Sequence, residues 1–245
     1  MKTVLITGCS SGFGLETAQY FLARDWKVIA TMRKPDDALL SRSPHLKVLA
    51  LDVTDPESIR LAVEAAGPVD VLVNNAGIGM LGVLEATRMS TIRELFETNT
   101  FGTMALTQAV LPQFRERKSG VIVNVTSSVT LKPLPMLSVY TASKAAVTSF
   151  TESLALELSQ FNVRVAVVEP GRSPTRFSEN ARPRMQGGIP DAYADFANKI
   201  FASMGPSAGT QPQEVAQAVW RAVTDPASPM RIPAGADAIA MAEAS

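Results

Sequence analysis

Short apolar runs recur at residues 3–6, 27–31, 47–51, 69–73, 121–125 and 163–168, rich in valine and isoleucine and apolar at successive positions. Such runs fit strands buried on both faces, as in a parallel sheet covered by helices. The segments between them carry helical periods. Residues 13–23 place Phe13, Thr17, Tyr20 and Phe21 on one face, and residues 54–65 open with a cap-like Thr54 followed by Asp55, Pro56 and Glu57. Helical patterns also cover 89–98, 102–117, 140–160 and 213–224, and a short strand is expected near 230–232. Strand and helix in alternation predict a doubly wound α/β fold with right-handed crossovers. Residues 173–210 break the pattern with clustered Pro, Gly, Arg and Met. They form either a long surface loop or, as favoured here, a lid over a site.

Composition narrows the field. Apolar residues make up 46% of the 245, and 23 basic residues balance 23 acidic ones. That balance leaves no electrostatic footprint for nucleic acid or an anionic membrane. No run reaches the roughly 18 apolar residues of a membrane span, and the amino-terminal segment does not read as a signal peptide. The single cysteine, Cys9, suits a reducing compartment, so a cytoplasmic location is expected. One histidine, His45, argues against a histidine triad or a multi-histidine metal site.

The first strand runs directly into Thr7-Gly8-Cys9-Ser10-Ser11-Gly12-Phe13-Gly14, and a helix follows. Glycines let the backbone turn and approach a pyrophosphate, and the helix start supplies free N–H groups. No Gly-Lys-Ser/Thr follows, so this is not a triphosphatase loop. Cys9 reads as a small filler rather than a nucleophile. At the tip of the second strand, where an acid would take a ribose 2′-hydroxyl, stand Arg33 and Lys34. A guanidinium can fork onto a 2′-phosphate, which favours NADP(H) over NAD(H). The alternative leaves both charges solvated and has Asp36 or Asp37 reach the ribose. Asp52, beside Val53 after the third strand, either accepts from an adenine amino group or caps the next helix.

Taken together, the Thr7–Gly14 loop, Asn74-Asn75-Ala76-Gly77, Asn99, Ser127, Tyr140-Thr141-Ala142-Ser143-Lys144 and Pro170-Gly171 resemble the short-chain dehydrogenase/reductase family, in its single-domain branch. The resemblance is strong over residues 1–172. It implies one Rossmann-type domain spanning 1–245, a mainly parallel sheet of about seven strands in a three-layer αβα sandwich, and hydride exchange between a nicotinamide cofactor and a ketone or alcohol.

The residue chemistry fits. Reducing a carbonyl needs a hydride at carbon and a proton at oxygen. Tyr140 and Lys144, spaced i, i+4, share a helix face. An ammonium about 4 Å from a phenol contributes roughly 4 kcal/mol at an effective dielectric of ~20. That corresponds to about three pKa units, so Lys144 is expected to lower Tyr140 and to hold the ribose hydroxyls. Ser127 would hold the substrate oxygen; Thr126 and Ser128 compete for that role. The resemblance assigns Asn99 a proton-relaying water, Asn75, Ala76 and Gly77 mainly backbone contacts to the cofactor, and Pro170, Gly171, Ser173 and Thr175 the nicotinamide carboxamide. Val129-Thr130 departs from the family, where a glycine is common, and Ser173 departs from its usual Val or Ile.

Substrate walls are expected from 129–138 and from the stretch after Thr175. They would include Leu131, Leu134, Met136, Phe177, Met185, Phe196 and Phe201, and would suit a hydrophobic small molecule. Arg176, Arg182 and Arg184 bind an anionic group or stay solvated. The resemblance also implies a homodimer or homotetramer through the helices at 102–117 and 140–160. Rival functions are a non-catalytic dinucleotide sensor and an epimerase or dehydratase on the same fold.

Overall fold

A computed structural model describes residues 1–172, 188–203 and 209–244. Seven strands, all parallel, form one sheet in the order β3-β2-β1-β4-β5-β6-β7. They are β1 (Thr3–Ile6), β2 (Lys27–Met32), β3 (Leu46–Ala50), β4 (Val71–Asn74), β5 (Gly120–Val125), β6 (Val163–Pro170) and β7 (Arg231–Ala234). The described helices are α1 (Gly12–Leu22), α2 (Pro56–Ala66), α3 (Met89–Phe96), α4 (Gly102–Arg117), α5 (Ser138–Leu158), α6 (Ala194–Ser203), α7 (Pro212–Thr224) and α8 (Ala236–Glu243). Among the described residues no helix is long and apolar enough to cross a membrane.

The strands' consecutive apolar residues serve two cores. Val4, Ile6, Val28, Ala30, Val71 and Val73 point to one face, where Phe21 of α1 and Val215 and Val219 of α7 meet them. Leu5, Ile29, Leu72 and Ile122 point to the other, against Leu106 and Phe114 of α4 and Leu154 of α5. This is the period of two that a strand imposes, with both phases apolar because helices cover both faces. Aromatic rings reinforce the first core. Phe21 sits edge-on to Trp26 and Trp220, each at 5.1 Å between centroids.

Several local expectations change. The cap of α2 is Asp55, whose carboxylate accepts from Glu57 N–H at 3.0 Å; Thr54 instead gives its hydroxyl to Asp52 at 2.7 Å. The helical run through Asn99 contains a π-helical turn, Glu97–Phe101, between α3 and α4. Within the segment expected to be a lid, residues 188–203 carry a 3₁₀ turn, Asp191–Tyr193, and α6. Helix α8 follows β7, where the periodicity gave no signal.

Strand order reverses at β1, whose neighbours β2 and β4 lead the chain in opposite directions. The carboxyl ends of the strands there open a crevice, the usual place for a ligand in such sheets.

Candidate active site

A single cleft of about 1680 Å³ runs along these strand ends. That exceeds the ~300–1,000 Å³ of an ordinary small-molecule pocket, leaving room for two ligands side by side. Gly8, Ser10, Ser11, Gly12 and Phe13 line one part of it, and Ser127, Tyr140 and Lys144 another.

At the first part, the exit of β1 bends sharply. Gly8 has φ of 73°, and a Cβ on it would lie 2.9 Å from Ala76 Cα. The Thr7 hydroxyl accepts from Asn75 and Ala76 N–H at 2.9 and 2.8 Å, while Asn75 Nδ2 donates to Thr7 O at 2.9 Å. Thus the Asn75 side chain braces the turn, and its segment presents backbone to the cleft. Ser11 makes no side-chain cap on α1, and no acid stands in the helix's first turn. Uncapped N–H groups at a positive dipole end, facing a cavity, suit an anionic pyrophosphate. Gly14 does not line the cleft. It lies where a Cβ would meet Gly8 O at 2.4 Å, so its smallness lets α1 approach the turn. Cys9 is fully buried and gives its thiol to Ile6 O; burial pushes the thiol up to about 12, which rules it out as a nucleophile.

Exposed Arg33 and half-buried Asp52 border the cleft, together with Val53. Thr54 N–H, assisted by the Thr54 hydroxyl and Arg33, holds the Asp52 carboxyl below the usual carboxylate range. Pro170, the last residue of β6, and Gly171 after it line the cleft. Ser173, Thr175, Phe177, Met185 and the three arginines Arg176, Arg182 and Arg184 lie outside the described residues.

At the second part, Tyr140 and Lys144 stand one turn apart on α5, both buried, and Ser127 follows β5. The Tyr140 and Ser127 side chains are hydrogen-bonded. Lys144 Nζ donates to Val125 O at 3.1 Å. The expectation that Lys144 lowers Tyr140 needs correcting. Burial dominates and raises the phenol above its ordinary value, with the Ser127 hydrogen bond pulling the other way. Burial also brings Lys144 down to about 8. Tyr140 is therefore held as a neutral acid, and Lys144 is still mostly charged at neutral pH.

A shift from 10.5 to about 8 corresponds to about 3 kcal/mol of strain from a buried charge. The unfolded chain keeps its proton to higher pH, so this cost applies in full below pH 8 and fades as pH approaches 10.5. Lys144→Met should therefore stabilise the fold by about 2 kcal/mol at pH 7, after loss of the bond to Val125 O. The gain should shrink towards pH 10; denaturant unfolding at both pH values measures it, and destabilisation at pH 7 would contradict it.

Asn99 is buried outside the cleft lining. Its amide pairs with Ile78 as a strand would, Oδ1 accepting from Ile78 N–H at 2.8 Å and Nδ2 donating to Ile78 O at 2.9 Å. Nδ2 also reaches Ser143 Oγ at 3.1 Å. The side chain is thus spent on locking the segment after β4. A Cβ on Gly77 would sit 3.2 Å from both Lys144 Nζ and Asn99 Oδ1, so a bare backbone is required beside the ammonium.

Among the expected substrate residues, Leu134 and Phe201 line the cleft, whereas Leu131, Met136 and Phe196 do not. Met136 takes a left-handed backbone, φ of 61°, which turns its side chain into a cluster with Val83 and Ala197 and lets its carbonyl accept from Gly82 N–H at 2.8 Å. The wall that sequence reasoning missed is Met80 to Val83, joined by Ile189 and Ile200. The apolar Ile78–Val83 stretch after the Asn-Asn-Ala-Gly segment was the available signal.

The model of the family described as short chain dehydrogenase matches residues 2–186. Human retinol dehydrogenase 8 is 37% identical over 94% of this chain and 80% of its own. A short-chain dehydrogenase from Streptomyces avermitilis superposes with a TM-score of 0.86 at 34% identity, over all of this chain and 92% of its own. One from Burkholderia cenocepacia, in complex with NADP, gives 0.80 at 29% identity, over 99% and 93%.

Proposed function

This chain belongs to the short-chain dehydrogenase family of oxidoreductases, and on that premise we propose that it interconverts an apolar ketone or aldehyde and its alcohol with NADP(H). The observation that carries the proposal is the convergence of Ser127, Tyr140 and Lys144 at one end of a cleft whose other end suits a dinucleotide. A bound nicotinamide dinucleotide supplies or accepts the hydride at the substrate carbon. Gly8, Ser10, Ser11, Gly12 and Phe13 would hold its pyrophosphate, and Lys144 its ribose. Backbone at Asn75, Ala76, Gly77, Pro170 and Gly171 completes the bed. Ser127 holds the substrate oxygen, and Tyr140 delivers the proton to it in reduction or removes one in oxidation. Asn99 supports this pair by fixing Ile78, and with it the backbone that faces Lys144.

Apolar walls at Met80, Leu81, Val83, Leu134 and Ile200 favour a hydrophobic substrate, in line with the substrate named for retinol dehydrogenase 8. We place the protein in the cytoplasm as a homodimer or homotetramer pairing through α4 and α5. Leu156 of α5 is 79% exposed and Phe101, just before α4, 52% exposed.

The test is a panel of decanal, acetophenone and all-trans-retinal, followed at the NADPH absorbance band. Turnover of none of them would overturn the substrate class. Arg33 favours NADP(H), because no acid stands at the tip of β2. Arg33→Asp should raise the KM for NADPH at least about 10-fold and lower that for NADH, since a charged hydrogen bond is worth about 1.5–3 kcal/mol. Equal use of both cofactors by the unaltered protein would refute the preference.

A further inference from the structure

Glu169 is a carboxylate that the proposed chemistry does not use, and it has no exposed surface at all. It lies near the end of β6, beside Pro170 of the cofactor bed. Arg231 of β7 forks onto it, Nη2 at 2.5 Å from Oε1 and Nε at 3.2 Å from Oε2. Arg231 also approaches Glu152 of α5 at 3.7 Å. The other partner of Glu169 is Thr130, whose hydroxyl lies 2.7 Å from Glu169 Oε1 and 2.9 Å from Ser127 O. One hydroxyl proton serves one acceptor well, and the carboxylate is both nearer and charged. Ser127 O is meanwhile held by Thr130 N–H at 3.2 Å.

Ser127 caps the 3₁₀ turn Ser128–Thr130, and its own contact to Val129 N–H is long, 3.4 Å. Three residues of 3₁₀ helix do not hold their own geometry. Their anchor is Thr130, tied to a fixed charge in the sheet. A buried ion pair gives little net stability compared with apolar residues of the same size. Its site beneath the Ser127 turn therefore points to a positional role.

We propose that Glu169, clamped by Arg231, acts through the Thr130 hydroxyl to position Ser127 against Tyr140 and the substrate oxygen. Glu169 and Thr130 are positioning residues; neither touches the substrate. The proposal rests on the assigned roles of Ser127 and Tyr140.

The experiment uses the full chain with NADPH and decanal. Thr130→Val keeps the shape and removes the hydroxyl. Because a displacement of about 1 Å costs on the order of 100-fold, kcat should fall between about 10- and 100-fold, with KM and NADPH affinity within about 2-fold. Thr130→Ser should restore kcat. Glu169→Gln, which keeps an acceptor but loses the charge, should fall between the two. In a Ser127→Ala background Thr130→Val should cost less than about 2-fold more, because the group it positions is gone.

Equal cost of Thr130→Val in both backgrounds, or unchanged kcat while Ser127→Ala is inactive, overturns the positioning role and leaves the assigned site standing. Full turnover by Ser127→Ala removes the assigned site and the positioning role together. A crystal structure of Thr130→Val gives a readout without turnover. Ser127 should lie beyond hydrogen-bond reach of Tyr140 in an otherwise unchanged fold, and an unmoved Ser127 overturns the proposal.

Discussion

Tyr140→Phe should lower turnover on the order of 1,000-fold while NADPH affinity stays within about 2-fold. A positioned general acid is worth roughly 10²–10⁴, and Tyr140 is the group that meets both Ser127 and the cleft. Phenylalanine keeps the ring in its cluster with Leu95, Val129 and Val139, so the wall survives and only the proton is lost. Burial raises Tyr140, so the acid form persists through neutral and mildly alkaline pH. Lys144, at about 8, loses its charge first. The kcat for reduction should therefore hold below pH 8 and decline above it, following Lys144 rather than Tyr140. Stopped-flow measurement of single-turnover hydride transfer, alongside calorimetric titration of NADPH, separates chemistry from binding. Turnover equal to that of the unaltered protein would refute the mechanism. A protein that binds NADPH but turns over no member of the panel would instead favour a dinucleotide sensor.

Gly14→Ala should weaken cofactor binding by at least about 10-fold with the catalytic residues intact. An alanine Cβ would stand 2.4 Å from Gly8 O and 2.5 Å from Asn75 Nδ2. Neither atom can swing aside. The first is backbone in the turn, and the second is bonded to Thr7 O at 2.9 Å. Helix α1 must therefore retreat from the strand ends, carrying with it the N–H groups that would face the pyrophosphate. Overpacking of this kind costs about 1–3 kcal/mol of stability. Losing one charged hydrogen bond to the pyrophosphate, about 1.5–3 kcal/mol, lowers affinity roughly 10- to 100-fold. Thermal unfolding with and without NADPH checks both. The variant should melt lower and gain little from the cofactor, and a shift with NADPH equal to that of the unaltered protein would count against the assignment.

Six of the seven strands were evident as apolar runs, because a strand covered on both faces needs apolar side chains at every position. Tyr140 and Lys144 could be placed on one helix face by their i, i+4 spacing alone, while the choice of that pair as the proton device came from the resemblance. Arg33 was visible as a basic residue where an acid would stand. Other features left no local trace. Asn99 stood out as an asparagine inside a helical run, yet its partner, Ile78, is 21 residues away. Met136 looked like a cleft residue until its left-handed backbone turned it aside. Glu169 carried no signal in the sequence, because its partner Arg231 lies 62 residues further on.

The sequence alone indicated the parallel sheet and the glycine turn between its first strand and a helix, since each shows in residues close together, while the family was indicated by the resemblance of motifs spread along the chain. Only the tertiary structure decided which groups meet and in what charge state. Tyr140 is raised rather than lowered because burial outweighs its neighbours, and Ser127 stands where a turn moored to Glu169 places it. Burial and contact between distant segments depend on how the whole chain packs, and no local pattern of side chains encodes them.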